Sequence, residues 1–177
     1  LSDNDISGLV LAGGRGSRMG NVDKGLQPFR GTTLVAHVLQ RLAPQVASVA
    51  ISANRSRETY AALGAHLPAT VLADELTGFA GPLAGLQAGL RQCTTPLLTT
   101  VPCDSPFLPE DLVQRLREAL LAQDADVAFA VTMEADDAGA ARKQPHPVFA
   151  LMKVAVLPRL DAYLAGAGAR WADGTRA

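Results

Sequence analysis

Short runs of Val, Ile, Leu and Ala alternate along this chain with segments whose apolar residues recur at helical spacing, and no other feature constrains the fold as strongly. A strand inside a parallel sheet is buried on both faces and reads as a continuous apolar run, while the helical period supplies the crossover that parallel pairing requires. ISGLVLA (6–12) reads as the first such strand. After Thr32 and Thr33, the residues Leu34, Val35, Val38, Leu39 and Leu42 repeat at helical spacing. VAISA (49–53) is the second strand, residues 56–63 are helical and stop at Gly64, and TVLA (70–73) is the third strand. Pro82 suits the first turn of a helix carrying Leu83, Leu86 and Leu90, and PLLTTV (96–101) is the fourth strand. Pro109 opens a helix with Leu112, Val113, Leu116 and Leu120 inward, followed by the run DVAFAVT (126–132). A polar segment, MEADDAGAARKQPHP, then interrupts the pattern before VFALM and a last helical stretch from Leu157 to Leu164. With no internal repeat and no low-complexity linker, the expectation is a single α/β domain over residues 1–177, with a doubly wound, mostly parallel sheet and helices on both faces.

Composition narrows the function. A chain of 177 residues, 48% hydrophobic and 19% charged, can bury a substantial core, and a net charge of −1 supplies no general basic field for nucleic acid. Any polyanion must be met locally. No apolar stretch reaches the eighteen or so residues of a membrane span, and LSDNDIS lacks the regions of a signal peptide, so the expected location is the cytoplasm, with no membrane and no nucleic-acid partner. Cys93 and Cys103 are too few for a disulfide scaffold and match no zinc spacing; both are expected to be reduced, buried, small apolar residues.

In doubly wound sheets ligands gather beyond the carboxyl ends of the strands, and the sequence places its unusual residues there. LAGGRGSRMGNVDKG (11–25) follows the first strand and holds five glycines and three cations in fifteen residues. It fits neither familiar glycine fingerprint. G-x-G-x-x-G would start at Gly14 and Gly16 but meets Met19, and the P-loop pattern fails because Gly20 is followed by Asn21. What remains is the physics common to both: glycines let the backbone approach an anion closely and aim several N–H groups at it, and Arg15, Arg18 and Lys24 add mobile positive charge. The loop reads as a cradle for a triphosphate, against the alternative of a surface turn with solvated cations.

Asn54 follows the second strand, Asp74 the third, and Cys103-Asp104 the fourth. Asp104, between Pro102 and Pro106, can hold Mg²⁺, a hard ion that takes oxygen ligands and keeps waters while bridging phosphates; the residues alone leave a helix cap or Asx turn equally open. Asp74 is open between metal, ribose or base contact and a turn. Lys24 reads as a phosphate contact or a solvated lysine. His37 falls in a helix, His66 in a connection, and His146, between two prolines, in a structural turn or a second substrate pocket; no triad or zinc cluster is formed by the sequence.

LAGGRGSRMGNVDKGL closely resembles the opening motif of the molybdenum cofactor guanylyltransferases, the MobA family, within the nucleotidyltransferases. SANR (52–55), ADELTGFAGPLAGL (73–86), VPCDSPFLP (101–109) and HPVFAL (146–151) are similar to that family's later motifs in the same order, so the resemblance covers about residues 6–165. LAGGxxxRMG alone would suit cytidylyltransferases as well; the DKG and GPLAG pieces favour MobA. The resemblance implies a Rossmann-like fold, GTP as donor with Mg²⁺, and the terminal phosphate of molybdopterin or Mo-molybdopterin as acceptor, giving the guanine dinucleotide cofactor and pyrophosphate. Transient contact with cofactor-delivering proteins is implied as well.

Leu11, Ala12, Gly13, Lys24, Asn54, Asp74 and Asp104 match the family's nucleotide site, with Asp104 also its magnesium ligand. Gly14, Arg15 and Arg18 complete the phosphate loop, and Asn54 with the backbone near Gly81 is expected to read guanine. Lys24, Arg18 and Asp104 are the expected catalytic set. The resemblance also implies a C-terminal strand followed by a motif like N-I-N-T near the metal; this chain ends ARWADGTRA without it, so the expectation is either a domain incomplete at that end or a divergent end. Two rivals remain: a related enzyme using CTP or another phosphorylated acceptor, and a nucleotide-binding regulator without turnover.

Overall fold

A computed structural model of the chain describes residues 5–12, 23–64, 69–73, 82–135 and 140–174. The main sheet takes its first four strands from the apolar runs: β1 (Ile6–Leu11), β4 (Ser48–Ser52), β5 (Ala69–Leu72) and β6 (Leu97–Pro102). The long strands β7 (Val127–Ala135) and β8 (Ala141–Lys153) complete it. The order is β5-β4-β1-β6-β8-β7, with β5, β4, β1 and β6 parallel and β8 antiparallel to both β6 and β7. The α/β, mostly parallel arrangement expected from the sequence is the observed one.

β1 sits at the centre, and its alternate residues feed two cores. Ile6 and Val10 pack on one face with Val35, Val38, Leu39 and Leu42 of α1 (Leu34–Leu42) and Leu112, Val113, Leu116 and Leu120 of α4 (Leu112–Ala122). Leu9 packs on the other, with Leu90 of α3 (Pro82–Gln92) and Leu157 and Leu160 of α5 (Leu157–Gly174). Each fully buried aliphatic side chain here contributes about 1.5–3 kcal/mol relative to exposure. Helices thus cover both faces, as a doubly wound sheet requires. α2 (Arg57–Gly64) is mostly exposed over residues 57–62 except for the fully buried Tyr60, and its Leu63 packs against the core.

α1 begins where the sequence places it, with Thr33 Oγ1 accepting from Ala36 N at 3.4 Å. α4 begins at Leu112, three residues after Pro109, and its N-cap Asp111 makes no side-chain capping bond. The cap comes from elsewhere: Gln45 Oε1 accepts from Val113 N at 3.0 Å, and Gln45 Nε2 donates to Pro109 O at 3.0 Å.

Several expectations need correction. MEADDAGAARKQPHP is largely strand: β7 continues to Ala135 and β8 starts at Ala141. Its polarity reflects position, since the outer part of this ribbon lies beyond β6, which pairs with β8 only over Ala150 to Lys153. Most of that stretch is exposed, so nothing selects apolar residues, and the prolines at 145 and 147 fall where β8 has no β6 partner. His146 is therefore a strand residue; its Nε2 lies 2.8 Å from Thr132 Oγ1 and its ring meets Phe149 edge-on. Cys93, expected to be buried, is only partly so. A small hairpin unread in the sequence joins β2 (Pro28–Phe29) to β3 (Thr32–Thr33), with Arg30 and Gly31 both at positive φ, the twist a two-residue hairpin favours.

α3 lies close against the sheet through its glycines. A Cβ at Gly89 would overlap the side chain of Leu9, which is fully buried and must shift to admit it. Gly89→Ala is therefore expected to destabilise the protein by about 1–3 kcal/mol despite alanine's better helix propensity of ~1 kcal/mol, because the overpacking strain dominates. Urea unfolding should show a lower midpoint with an unchanged slope.

Candidate active site

The register of the parallel strands levels their carboxyl ends. Leu11 lies opposite Ser52 on one side and Pro102 on the other, and Ser52 lies opposite Leu72. The residue after each strand is tied to the neighbouring chain: Ala12 N donates to Ser52 O (2.8 Å), Ala53 N to Leu72 O (2.9 Å) and Cys103 N to Leu11 O (3.2 Å). Ala12, Asn54 and Asp104 therefore project from one rim.

Lys24 reaches the same rim. Its Nζ stands 3.9 Å from Asp104 Oδ2, with the two side chains 57% and 39% exposed. Two expected catalytic residues, 80 positions apart in sequence, are thus neighbours. Asn54, exposed just past β4, is engaged in an interaction of its own. Gly13, Gly14, Arg15, Arg18, Asp74, Gly81 and His66 lie outside the described residues.

Asp104 is not a helix cap, since α4 begins eight residues later at Leu112 and takes its cap from Gln45. Its loop is held from behind: Arg41 Nη1 donates to Leu108 O at 3.0 Å, and Leu108 N to Ser105 O at 3.2 Å. The loop is fixed while the carboxylate stays open to solvent. A hard oxygen donor on a fixed loop and open to solvent suits a divalent ion held by one or two carboxylates and completed by substrate oxygens and water. Among the described residues no group of three His, Cys, Asp or Glu side chains is placed to enclose a metal, which excludes an all-protein cage from that part of the chain.

The segment Asp23-Lys24-Gly25 is bound on every side. Gln27 Nε2 donates to Asp23 O at 3.2 Å, Gln27 N to Lys24 O at 3.2 Å, and Val35 N at the start of α1 to Gly25 O at 2.9 Å. The Tyr60 hydroxyl donates to Asp23 Oδ1 at 2.5 Å. Gly25 is glycine because of close approach: a Cβ there would stand 2.6 Å from the Tyr60 hydroxyl and 3.1 Å from both Cβ and Sγ of Cys103.

Burial, and then the hydrogen bond to Asp23, hold the Tyr60 phenol far above the usual tyrosine range, so it is a permanent donor. Burial first, then the negative charges of Asp104 and Asp23, push the Cys103 thiol up to about 12. Cys103 is thus a neutral thiol at physiological pH, unsuited to nucleophilic attack. Asp23 and Tyr60 escaped the sequence reading; the one aromatic in the short helix RETYAALG was the available signal.

Comparison with known proteins bears on the reaction. The chain matches the model of the MobA-like NTP transferase domain over residues 8–173. It is 50% identical over 179 residues to a molybdenum cofactor guanylyltransferase of Cupriavidus necator, covering 99% of this chain and 86% of that one. Among solved structures, molybdopterin-guanine dinucleotide biosynthesis protein A of Archaeoglobus fulgidus aligns with a TM-score of 0.61 at 23% identity, over 90% of this chain and 74% of that one. The 4-diphosphocytidyl-2C-methyl-D-erythritol synthase of Anaerococcus prevotii aligns with a TM-score of 0.66 at 14% identity, over 92% and 76%. The two structures speak for the fold alone. The family match, spanning the glycine loop, the rim and the ribbon, shows that this chain belongs to the MobA-like NTP transferase domain family and is a nucleotidyltransferase.

Proposed function

We propose that the chain transfers GMP from GTP to the terminal phosphate of molybdopterin or Mo-molybdopterin, releasing pyrophosphate. The observation that carries this reading is the pairing of Lys24 and Asp104 at the strand rim, 3.9 Å apart, in a chain half identical over nearly its whole length to a molybdenum cofactor guanylyltransferase. An oxygen of the acceptor phosphate attacks the α-phosphorus in line; the new O–P bond forms as the bond to the β-phosphate breaks, and pyrophosphate departs with the electron pair. No protein nucleophile is needed, so catalysis rests on positioning and on offsetting negative charge.

Lys24 supplies a point charge at the rim for phosphate oxygens, and its exposed ammonium can leave Asp104 without disrupting packing. Asp104 would hold Mg²⁺, which when bound supplies charge neutralisation at the donor phosphates. Gly13, Gly14, Arg15 and Arg18 would cradle the β and γ phosphates, with Leu11 and Ala12 forming the wall beneath. Asn54, Asp74 and the backbone at Gly81 would meet the nucleoside, where base selection needs directed donors and acceptors. GTP is a cytoplasmic nucleotide, and the reaction is placed there with it; a protein that delivers the acceptor would make transient contact. The fold, shared with a diphosphocytidyl synthase, leaves the cytidylyl reading open without favouring it. Pyrophosphate release measured with molybdopterin and either GTP or CTP separates the two: turnover with CTP and none with GTP would reject the guanylyl assignment.

Asp104→Ala is expected to lower kcat by about 10²–10³-fold, the range for removing one preorganised electrostatic element. Stability should stay within about ±0.5 kcal/mol because the side chain is at the surface. Asp104→Asn keeps an oxygen without the charge and should fall between the two. Near-normal turnover of Asp104→Ala across a Mg²⁺ titration would remove Asp104 from the site.

Lys24→Ala should lower kcat by about tenfold or more with a smaller change in the KM for GTP, since charge on the phosphate oxygens grows toward the transition state. A raised KM at constant kcat would make Lys24 a uniform binding contact instead.

A further inference from the structure

Tyr60 takes no part in the chemistry described above, yet among the described residues it is the largest fully buried side chain, and its one side-chain polar atom points at the segment that carries Lys24. Three contacts converge there. Its hydroxyl donates to Asp23 Oδ1 at 2.5 Å; the backbone at Gly25 is so close that a Cβ there would stand 2.6 Å from the Tyr60 hydroxyl; and the same Cβ would stand 3.1 Å from Cβ and Sγ of Cys103, the residue before Asp104. The phenol thus touches the residues on either side of Lys24, and Gly25 in turn touches the neighbour of Asp104.

We propose that Tyr60 is a positioning residue for the nucleotidyl transfer: by holding the Asp23 carboxylate it fixes the Asp23-Lys24-Gly25 turn and so the placement of the Lys24 ammonium beside Asp104. The role rests on the assignment of Lys24 and Asp104 made above.

The chemistry favours this over packing alone. A buried phenol needs some acceptor, and a backbone carbonyl would satisfy it. Here the acceptor is a carboxylate, giving a charge-assisted bond stronger than a neutral one. The backbone carbonyls of Asp23, Lys24 and Gly25 are already bonded to Gln27 and Val35. The bonds to Gln27 close the turn on itself, the bond to Val35 ties it to α1, and the Tyr60 bond is the link from its side chain to α2. A four-carbon side chain converts a small rotation of its own backbone into a large displacement of Nζ, so the link bears on where the charge sits. A misplacement of about 1 Å at a reacting group can cost as much as a hundredfold.

Tyr60→Phe removes the hydroxyl and keeps the buried ring, and Asp23→Asn weakens the same bond from the other end. Each is expected to lower kcat for pyrophosphate release by about tenfold, with the KM for GTP within about twofold, as loss of one bond to a charged group allows. Because both act through one contact, the double variant should be little worse than either alone. Trypsin cleavage at the Lys24–Gly25 bond, followed by mass spectrometry, reads the turn without any activity; it should speed up about tenfold in each variant as the turn opens.

Tyr60→Phe with kcat within twofold of the parent overturns the proposal, even if its melting temperature drops. Unchanged cleavage at Lys24–Gly25, or losses that simply multiply in the double variant, overturns it as well. Should Tyr60→Phe fail to fold, Asp23→Asn decides by the same two measurements. If the unaltered chain releases no pyrophosphate from GTP with molybdopterin, the guanylyl reading fails, and the cleavage rates still decide whether Tyr60 holds the turn.

Discussion

The site depends on the parallel pairing of β1 on both of its edges. Because Leu11 is opposite both Ser52 and Pro102, the ends of β4, β1 and β6 reach one level, and the backbone bonds from Ala12 and Cys103 carry that alignment one residue beyond the strands. A slip of one residue would exchange the faces of β1, exposing Ile6 and Val10 to the wrong helices and putting Leu9 under α1. The rim therefore exists only in the register that satisfies both cores, and the packing that stabilises the fold also locates Asp104.

On this rigid base the charges are kept loose. Lys24 and Asp104 are both well exposed at a separation of 3.9 Å, and an ion pair of that kind contributes about 0–1 kcal/mol. Its weakness suits a binding site, because either partner can turn to substrate at little cost. Rigidity is supplied one layer back: Gln45 and Arg41 hold the loop of Asp104 from α1 and its end, and Tyr60 holds the turn of Lys24 from α2. Cys103, a neutral thiol, fills the space between them without adding charge.

The sequence made the main parallel strands and the helices legible because each is buried on a definite face, and burial writes itself as a period. ISGLVL, VAIS and LLTTVP were readable for that reason. The β7–β8 ribbon was readable only at its inner end, where Ala128 and Leu151 meet the core; its outer arms are exposed, and exposure leaves no pattern. Lys24 and Asp104 stood out by chemistry and by their strand-end positions. The Tyr60–Asp23 contact did not, because it joins two segments 37 residues apart and a lone tyrosine carries no mark of its acceptor. Gln45 was hidden in the same way, since it caps a helix other than its own.

The solved structures with this fold include one named for guanine dinucleotide synthesis and one named for a diphosphocytidyl product, with TM-scores of 0.61 and 0.66. Backbone arrangement therefore does not choose the base. A sheet whose strands end level offers any nucleoside triphosphate the same phosphate rim, since loop N–H groups and a lysine recognise charge and not a ring. Discrimination has to come from donors and acceptors set where the nucleoside lies, because a site that hydrogen-bonds a particular edge leaves its own polar groups unpaired when the wrong base arrives. In the proposed reaction Asn54, which follows a buried Ala53 at the end of β4, would contribute such a group without altering the sheet that holds it. Fold and phosphate chemistry can thus stay constant while substrate choice changes at a few strand-end residues.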